Sequence, residues 1–373
     1  MRSRLAVCVL AALLLAGCHR RSEPVAPHVP EVIPRFDVHT HIAAADLPEA
    51  MRLYAQQDIY GLLNLSGGFG RRLEAQLDAA GQWRGRVLVS AVLDARGIFE
   101  PGWEEREILR LRDARAKGAR GLKFHKALGL GWADAKGERV KVDDPRLDPI
   151  FEEAGRLGLV VSIHSGDPKA FFRPPTPDNE RFDELKANPD WSFYGPGWPT
   201  WEEVFGEYER RVARHPRTTF IGVHFGNDPE DPEHVAAMLR QYPNLYVDTA
   251  ARVGEIGRQP PEKLRALFVE HKRRILFGTD FSLSGGEMML GAPDGNLPTP
   301  ADFDRFFSAT WRFFETSDRK IAHPTPIQGR WTVDAIGLPK DVLEDVYHKN
   351  AERLLGLPPL AGTADATPAQ PRP

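Results

Sequence analysis

The sequence predicts a (β/α)8 TIM barrel. Three observations carry that expectation: eight short apolar, β-branched runs, helical patterns lying between them, and no glycine-rich phosphate turn after the first run. Strands alternating with helices build a parallel sheet, and an open doubly wound sheet normally begins with such a turn. Closure into a barrel is the remaining solution, with function at the C-terminal ends of the strands and in the loops that follow them. The length of 373 residues permits it, because α/β barrels run to roughly 250 residues or more as one domain.

The strands are read, in order, at Phe36–Ile42 (FDVHTHI), Tyr60–Leu65 (YGLLNL), Val87–Leu93 (VLVSAVL), Ala119–His125 (ARGLKFH), Leu159–His164 (LVVSIH), Thr219–His224 (TFIGVH), Leu245–Thr249 (LYVDT) and Ile275–Asp280 (ILFGTD). Helices are expected between them, among them Trp103–Lys117, Asp144–Leu157, Trp201–His215, Pro232–Gln241 and Pro261–Lys272. Two connections, Ser165–Thr200 and Ser282–Pro300, are long. Loops of that length in a compact domain are usually functional lids or walls, or else disordered.

Outside the barrel, read over 35–357, the chain has two distinct ends. Arg2 and Arg4 precede an apolar run from Leu5 to Leu15, and small residues follow at Ala16-Gly17-Cys18. This is signal-peptide anatomy, too short for a comfortable membrane span. Leu15-Ala16-Gly17-Cys18 resembles the lipobox of bacterial lipoproteins, which implies removal of residues 1–17 and a lipid on Cys18. His19, rather than an aspartate, then implies the outer membrane, with the protein facing the periplasm. Cys8 and Cys18 are the two cysteines, so the mature domain would hold no thiol for a disulfide, a nucleophile or a thiolate metal site. Residues 18–34, with Pro24, Pro27, Pro30 and Pro34, read as a semi-extended tether. The Pro-, Ala- and Thr-rich segment 358–373 reads as a disordered tail. A net charge of −3 carries no electrostatic footprint for nucleic acid, which favours a small-molecule substrate.

Among 12 histidines, position is the informative property. His39 and His41 stand two apart on the first strand, so both face one side. His164 ends the fifth strand, His224 the sixth, and Asp280 the eighth. Singly, such histidines are ordinarily packed or hydrogen-bonded, and a strand-end aspartate is often a turn former. In a closed barrel, however, the five side chains converge on one mouth, where neutral imidazoles and a carboxylate suit zinc or a similar divalent ion. Three or four protein ligands leave a coordination position for water, whose pKa such an ion lowers toward roughly 7.

In this order the residues resemble the amidohydrolase superfamily, especially the amidohydrolase-related branch of hydrolases, lactonases and nonoxidative decarboxylases. The resemblance runs from about Phe36 to Leu357 and includes Asn350-Ala351-Glu352-Arg353-Leu354, similar to the Asn-Ala-x-Arg-Leu helix that often ends that branch. It implies His39, His41, His164 and Asp280 as metal ligands, with Asp280 also moving a proton of the water. It implies that His224 either binds a second metal or polarises the substrate. The activity implied is hydrolysis of an amide, ester or lactone bond. A metal-dependent decarboxylase and a non-catalytic, metal-containing binding lipoprotein are the alternatives.

Lys123 shares a face of the fourth strand with His125. Some members of the superfamily carry a carboxylated lysine on this strand that bridges two metals, and His224 would then complete the second site. Alignment of strand ends instead sets His125 level with His164 and His224 and puts Lys123 one layer deeper, to pair with a substrate carboxylate or with Asp280. One ion, most naturally zinc, is the expectation. Lys123, His125 and Arg252 are candidates to contact substrate, as is Arg173, and Trp132, Trp191 and Trp198 are candidates to stack on a ring. Solvated arginines and structural tryptophans are the ordinary alternative.

Overall fold

Runs that are apolar on both faces form parallel strands only where helices cover one side and a core fills the other. The computed structural model describes residues 32–166, 168–293 and 297–358. In it these runs become β1 (Arg35–Ile42), β2 (Ile59–Asn64), β3 (Val87–Val92), β4 (Gly121–Phe124), β5 (Val160–Ile163), β6 (Phe220–Gly222), β7 (Leu245–Asp248) and β8 (Ile275–Leu276). Each pairs in parallel with the next. Helices Trp103–Lys117 and Pro232–Gln241 occupy the expected spans. Helix Trp201–Arg214 opens on a capping box between Thr200 and Glu203. The span Asp144–Leu157 divides into a 3-10 turn, Pro145–Leu147, and a helix, Asp148–Arg156. The signal segment, Cys18, the tether up to residue 31 and the tail from residue 359 lie outside the described residues.

The ring closes through a broken eighth stave. β8 pairs with β7, whereas the chain further on, β9 (Phe281–Ser284), pairs in parallel with β1. Between them Val38 N donates to Phe277 O at 3.0 Å and Asp280 N donates to His39 O at 2.9 Å. The segment 275–284 thus bonds to both neighbours, β7 first and β1 afterwards. The break falls at Asp280, whose φ of 62° is left-handed, a conformation that costs a non-glycine residue about 1–2 kcal/mol. Gly278 makes the close approach possible, because a Cβ there would meet the Cβ atoms of His39 at 3.1 Å and Asp248 at 3.3 Å.

Part of the connection expected over Ser282–Pro300 proves to be a hairpin. β9 turns at Gly285-Gly286 into β10 (Glu287–Leu290), and the N–H groups of both glycines donate to the Asp46 carboxylate, at 2.8 and 3.1 Å. The fifth connection likewise contains a helix, Phe182–Ala187, with short 3-10 turns at Lys169–Phe172 and Pro189–Trp191.

Inside the barrel, Phe36, Val38, Leu63, Leu88, Val160, Ile221 and Leu276 form an apolar plug, joined from the base by Ala351 and Leu355 of helix Asn350–Leu355. Asn350 fixes that helix: its side-chain amide donates to Lys272 O and Ile275 O, each at 2.6 Å, at the entry to β8. Arg353 pairs with Asp345 at 2.7 Å. The Asn-Ala-x-Arg-Leu stretch is therefore the stopper of the barrel. Above the plug the buried inner residues turn polar, with Ser90, Lys123, Ser162 and Asp248. Lys123 pairs in register with Ser162, so it lies one layer below His125 and His164.

Replacing Asn350 with alanine leaves two carbonyl oxygens at the base without their side-chain donor. One of these, Ile275 O, is buried, and at roughly 1–3 kcal/mol for a buried group left unsatisfied, stability should fall by about 1–3 kcal/mol in urea denaturation. A loss below about 0.5 kcal/mol would contradict the anchoring role.

Candidate metal centre

The site begins with a register change in β1. Pairing with β2 is irregular between Asp37 and Thr40. Below it Phe36 and Val38 enter the plug, and above it His39 and His41 join the mouth. Asp37, fully buried beside the irregularity, accepts from His39 N at 2.9 Å, Thr279 N at 3.2 Å and Tyr54 Oη at 2.6 Å. It fastens β1 to the break in the eighth stave, and so sets His39 opposite Asp280.

His39, His41 and Asp280 each present one ligand atom, and these atoms all lie within 4.8 Å of one another. Asp280 Oδ1 is 3.5 Å from His39 Nε2 and 3.3 Å from His41 Nε2. An ion about 2.1 Å from each atom of a tetrahedral set separates its ligands by about 3.4 Å. The two separations from Asp280 match that value, and the set as a whole, within 4.8 Å, closes on a single small divalent cation with a small inward shift of the imidazoles.

The far nitrogens are already committed. His39 Nδ1 lies 2.9 Å from Asp248 Oδ2, and His41 Nδ1 lies 2.7 Å from Ser66 Oγ. A neutral ring that donates from Nδ1 keeps its lone pair on Nε2, and Nε2 of His39 is buried with no hydrogen-bond partner. Burial, followed by the charge of Lys123, holds the His39 pKa well below its usual value, so the ring is neutral at pH 7. For Asp280, burial alone would raise the pKa. Its interactions with His41, His39 and His164 outweigh it and leave the carboxyl at about 2.

His224 does not end a strand as expected. β6 stops at Gly222, and the chain turns through a left-handed run at His224 (φ 53°), Phe225 (56°), Gly226 (73°) and Asn227 (62°). Strain of about 1–3 kcal/mol for each such non-glycine residue persists only where the surroundings hold it. Here Asp248 Oδ1 accepts from His224 N at 2.8 Å, and Asn227 reaches across to β5, accepting from Ser165 N at 2.8 Å and donating to Ile163 O at 3.2 Å. That clamp brings the rings of His164 and His224 to 4.3 Å, and the His224 ring lies 4.8 Å from that of His39. His224 Nδ1 is 2.9 Å from Ala250 O, which makes it an N–H donor.

The remaining candidates separate. His125 stands with its ring 6.0 Å from that of His41, its pKa lowered to about 2 by burial and then by Lys123. Lys123 is fully buried, and its charge opposes the rise that burial imposes on Asp248. Arg252 is buried rather than offered at the surface, and donates to Ala251 O at 2.7 Å. Its charge is felt by Arg181, which pairs with Glu184 and Glu255. Arg173 is exposed. Trp191 packs beneath the Lys126 ammonium at 4.2 Å, Trp132 lies against Phe124 at 6.3 Å, and Trp198 lies against Phe193 at 5.1 Å with 40% of its surface exposed.

Sequence reasoning passed over Asp248, Asn227, Ser66 and Asp37. A signal existed for Asp248, a carboxylate at the end of a parallel strand (LYVDT), the position at which barrel enzymes carry functional groups. Gly226-Asn227 also marks the turn after β6.

A family model described as Amidohydrolase matches residues 74–357. That span includes His125, His164, His224 and Asp280 and begins after His39 and His41. A solved structure of 2,6-dihydroxybenzoate decarboxylase complexed with 2,6-dihydroxybenzoate is 15% identical, covering 87% of this chain and 100% of that one, with a TM-score of 0.50, and shares the fold. An amidohydrolase from Burkholderia multivorans with bound zinc is 15% identical over 87% of this chain and 100% of its own, with a TM-score of 0.47. Dihydroorotase from Campylobacter jejuni is 13% identical over 87% and 84%, with a TM-score of 0.48. No curated protein sequence matches.

Asp248 offers a test that leaves the ligands themselves untouched. Asp248→Asn keeps an oxygen for His224 N but turns an amide toward His39 Nδ1. Zinc affinity, measured by chelator competition, should fall about 10–100-fold while the protein stays folded. Unchanged affinity would show that His39 does not bind an ion in the tautomer described.

Proposed function

Because the chain belongs to the amidohydrolase family, we propose that it is a metal-dependent hydrolase of an amide, ester or lactone bond in a small molecule, with the candidate centre as its active site. The single observation that carries this is the spacing of the His39, His41 and Asp280 ligand atoms around the volume of one ion. Those three residues would hold it, with His164 as a fourth ligand, and the nitrogen and oxygen donors suit zinc. One ion per chain is the count proposed. When bound, a divalent ion supplies Lewis acidity toward a carbonyl oxygen and acidifies a water.

The proton work falls to Asp280, which is ionised at neutral pH. It takes the proton released as water adds to the carbonyl and returns it to the leaving group. His224 has its Nδ1–H committed to Ala250 O. It therefore polarises a substrate carbonyl from Nε2 only as the imidazolium, and ligates a second ion only as the neutral ring. Lys123 and His125, reached from β4, are the proposed contacts to substrate, with Arg252, buried after β7, a third candidate.

We also propose that the mature protein is a cell-envelope lipoprotein, held by a lipid on Cys18 in the outer membrane and facing the periplasm. The support is the run Leu15-Ala16-Gly17-Cys18-His19 after an apolar segment.

The test is a screen of lactones, amides and aromatic carboxylates with purified protein, followed by Asp280→Asn on the substrate found. The variant keeps the shape and one oxygen ligand but loses the base, so turnover should drop by about 10²–10⁴ with the fold and part of the metal retained. Wild-type turnover in Asp280→Asn would refute the assignment. Carbon dioxide release from an aromatic carboxylate, without hydrolysis of any substrate, would transfer the same residues to decarboxylation.

A further inference from the structure

We infer that the base of the barrel, opposite the mouth, is a docking surface for an anionic lipid bilayer. The connections entering the strands at this end are strongly basic in a chain whose net charge is −3. Arg84 and Arg86 precede β3, Arg120 precedes β4, and Arg217 precedes β6. Lys272, Arg273 and Arg274 stand together before β8. Against these, the described residues of the same connections carry a single carboxylate, Asp58.

Few ion pairs meet this charge, although Glu152 and Glu153 line a second cavity together with Arg217. Lys272 pairs with Asp341 at 2.7 Å. Arg86 and Arg274 are turned to backbone carbonyls, those of Tyr60 for the first and Tyr242 and Leu239 for the second. Arg84, Arg217 and Arg273 are exposed and take part in no ion pair among the described residues. The C-terminal helices, from Lys340 to Leu355, add Lys340, Lys349 and Arg353 against Asp341, Glu344, Asp345 and Glu352, which leaves the excess at the strand entries. Part of it gathers around one cavity of about 390 Å³, where Arg217, Arg273, Arg274 and Arg353 meet and no carboxylate joins the lining. A cavity of that charge suits a phosphate headgroup, which arginine grips through paired N–H groups.

Where the chain enters the barrel selects a membrane as the partner. β1 starts at Arg35, at this same end, and the residues from Cys18 to Pro34 reach at most about 60 Å when fully extended. Rested on a bilayer, the base leaves the C-terminal ends of the strands, and the candidate centre, facing away from it. The inference rests on the lipoprotein reading for its destination, whereas the basic surface itself does not.

The experiment uses the chain from residue 18 onward carrying Cys18→Ser, so that neither the apolar run Leu5–Leu15 nor a lipid anchors it, and vesicles of phosphatidylcholine alone or mixed with equal phosphatidylglycerol. The chain should sediment preferentially with the mixed vesicles, less so as salt is raised. Each basic residue near an anionic surface contributes about fivefold to partition. The triple substitution Arg84→Gln, Arg217→Gln and Arg273→Gln should therefore lower the phosphatidylglycerol-dependent part on the order of 10²-fold, with unfolding midpoint and metal content unchanged. Equal sedimentation with both vesicles, or full retention by the triple variant, would overturn the inference, as would charge-dependent binding to duplex DNA with none to phosphatidylglycerol. Lipidation is read separately, on phosphatidylcholine alone. Wild-type chain extracted from membranes should bind there and Cys18→Ser should not, and equal binding of the two removes the lipid anchor whatever the charged surface does.

Discussion

The imidazole of His39 is held between two carboxylates, Asp248 at Nδ1 and Asp280 beside Nε2. His39 and Asp248 are fully buried, and an isolated charge in such surroundings is costly unless it is paired. Burial raises the Asp248 pKa to about 7, and the charge of Lys123, one layer below, opposes that rise. Asp280 is ionised at neutral pH and faces His39, whose ring burial keeps neutral. A cation lodged at the Nε2 side completes this balance, and Asp280 already stands from each of the two imidazoles at about the separation one requires. The geometry and the electrostatics thus ask for the same object, which is why the cluster reads as a metal centre rather than as a packed histidine core.

The rest of the mouth is arranged to keep that balance in place. Asp248 accepts from His39 with one oxygen and from the backbone of His224 and Ala250 with the other, so β1, β6 and β7 share one carboxylate. Asp37 does the corresponding work between β1 and the eighth stave. The left-handed residues at 224, 225, 227 and 280 are unfavourable locally. They are tolerated because Asn227, Asp248 and Gly278 fix the backbone where the side chains must meet. Stability comes from the opposite end, where the plug and the helix anchored by Asn350 fill the base. The barrel therefore separates an apolar floor from a strained, polar mouth.

How much of this is legible in the sequence follows from which forces act locally. Strands and helices were readable because burial on both faces leaves continuous apolar runs, and helix starts carry their caps, as Thr200 with Glu203 does. The convergence of His39, His41 and Asp280 was legible through strand ends, since closure of the barrel brings those ends together. The path at His224 was not. TFIGVH reads as a strand to its end, and only the pull of Asp248 and Asn227, from β7 and across to β5, turns the last residues left-handed. The hairpin after Asp280 was missed for the reverse reason: Gly285-Gly286 announces it locally, but the length of the connection drew it into a loop. Arg252, expected at the substrate, is buried in the wall among charges contributed by distant segments, which no spacing in the sequence displays.

The most direct test of the central claim is anomalous diffraction at the zinc edge from crystals of protein purified without chelator. The account predicts one peak, about 2.0–2.2 Å from Nε2 of His39, Nε2 of His41 and a carboxylate oxygen of Asp280. A peak coordinated elsewhere, or none in protein that turns over substrate, would contradict it.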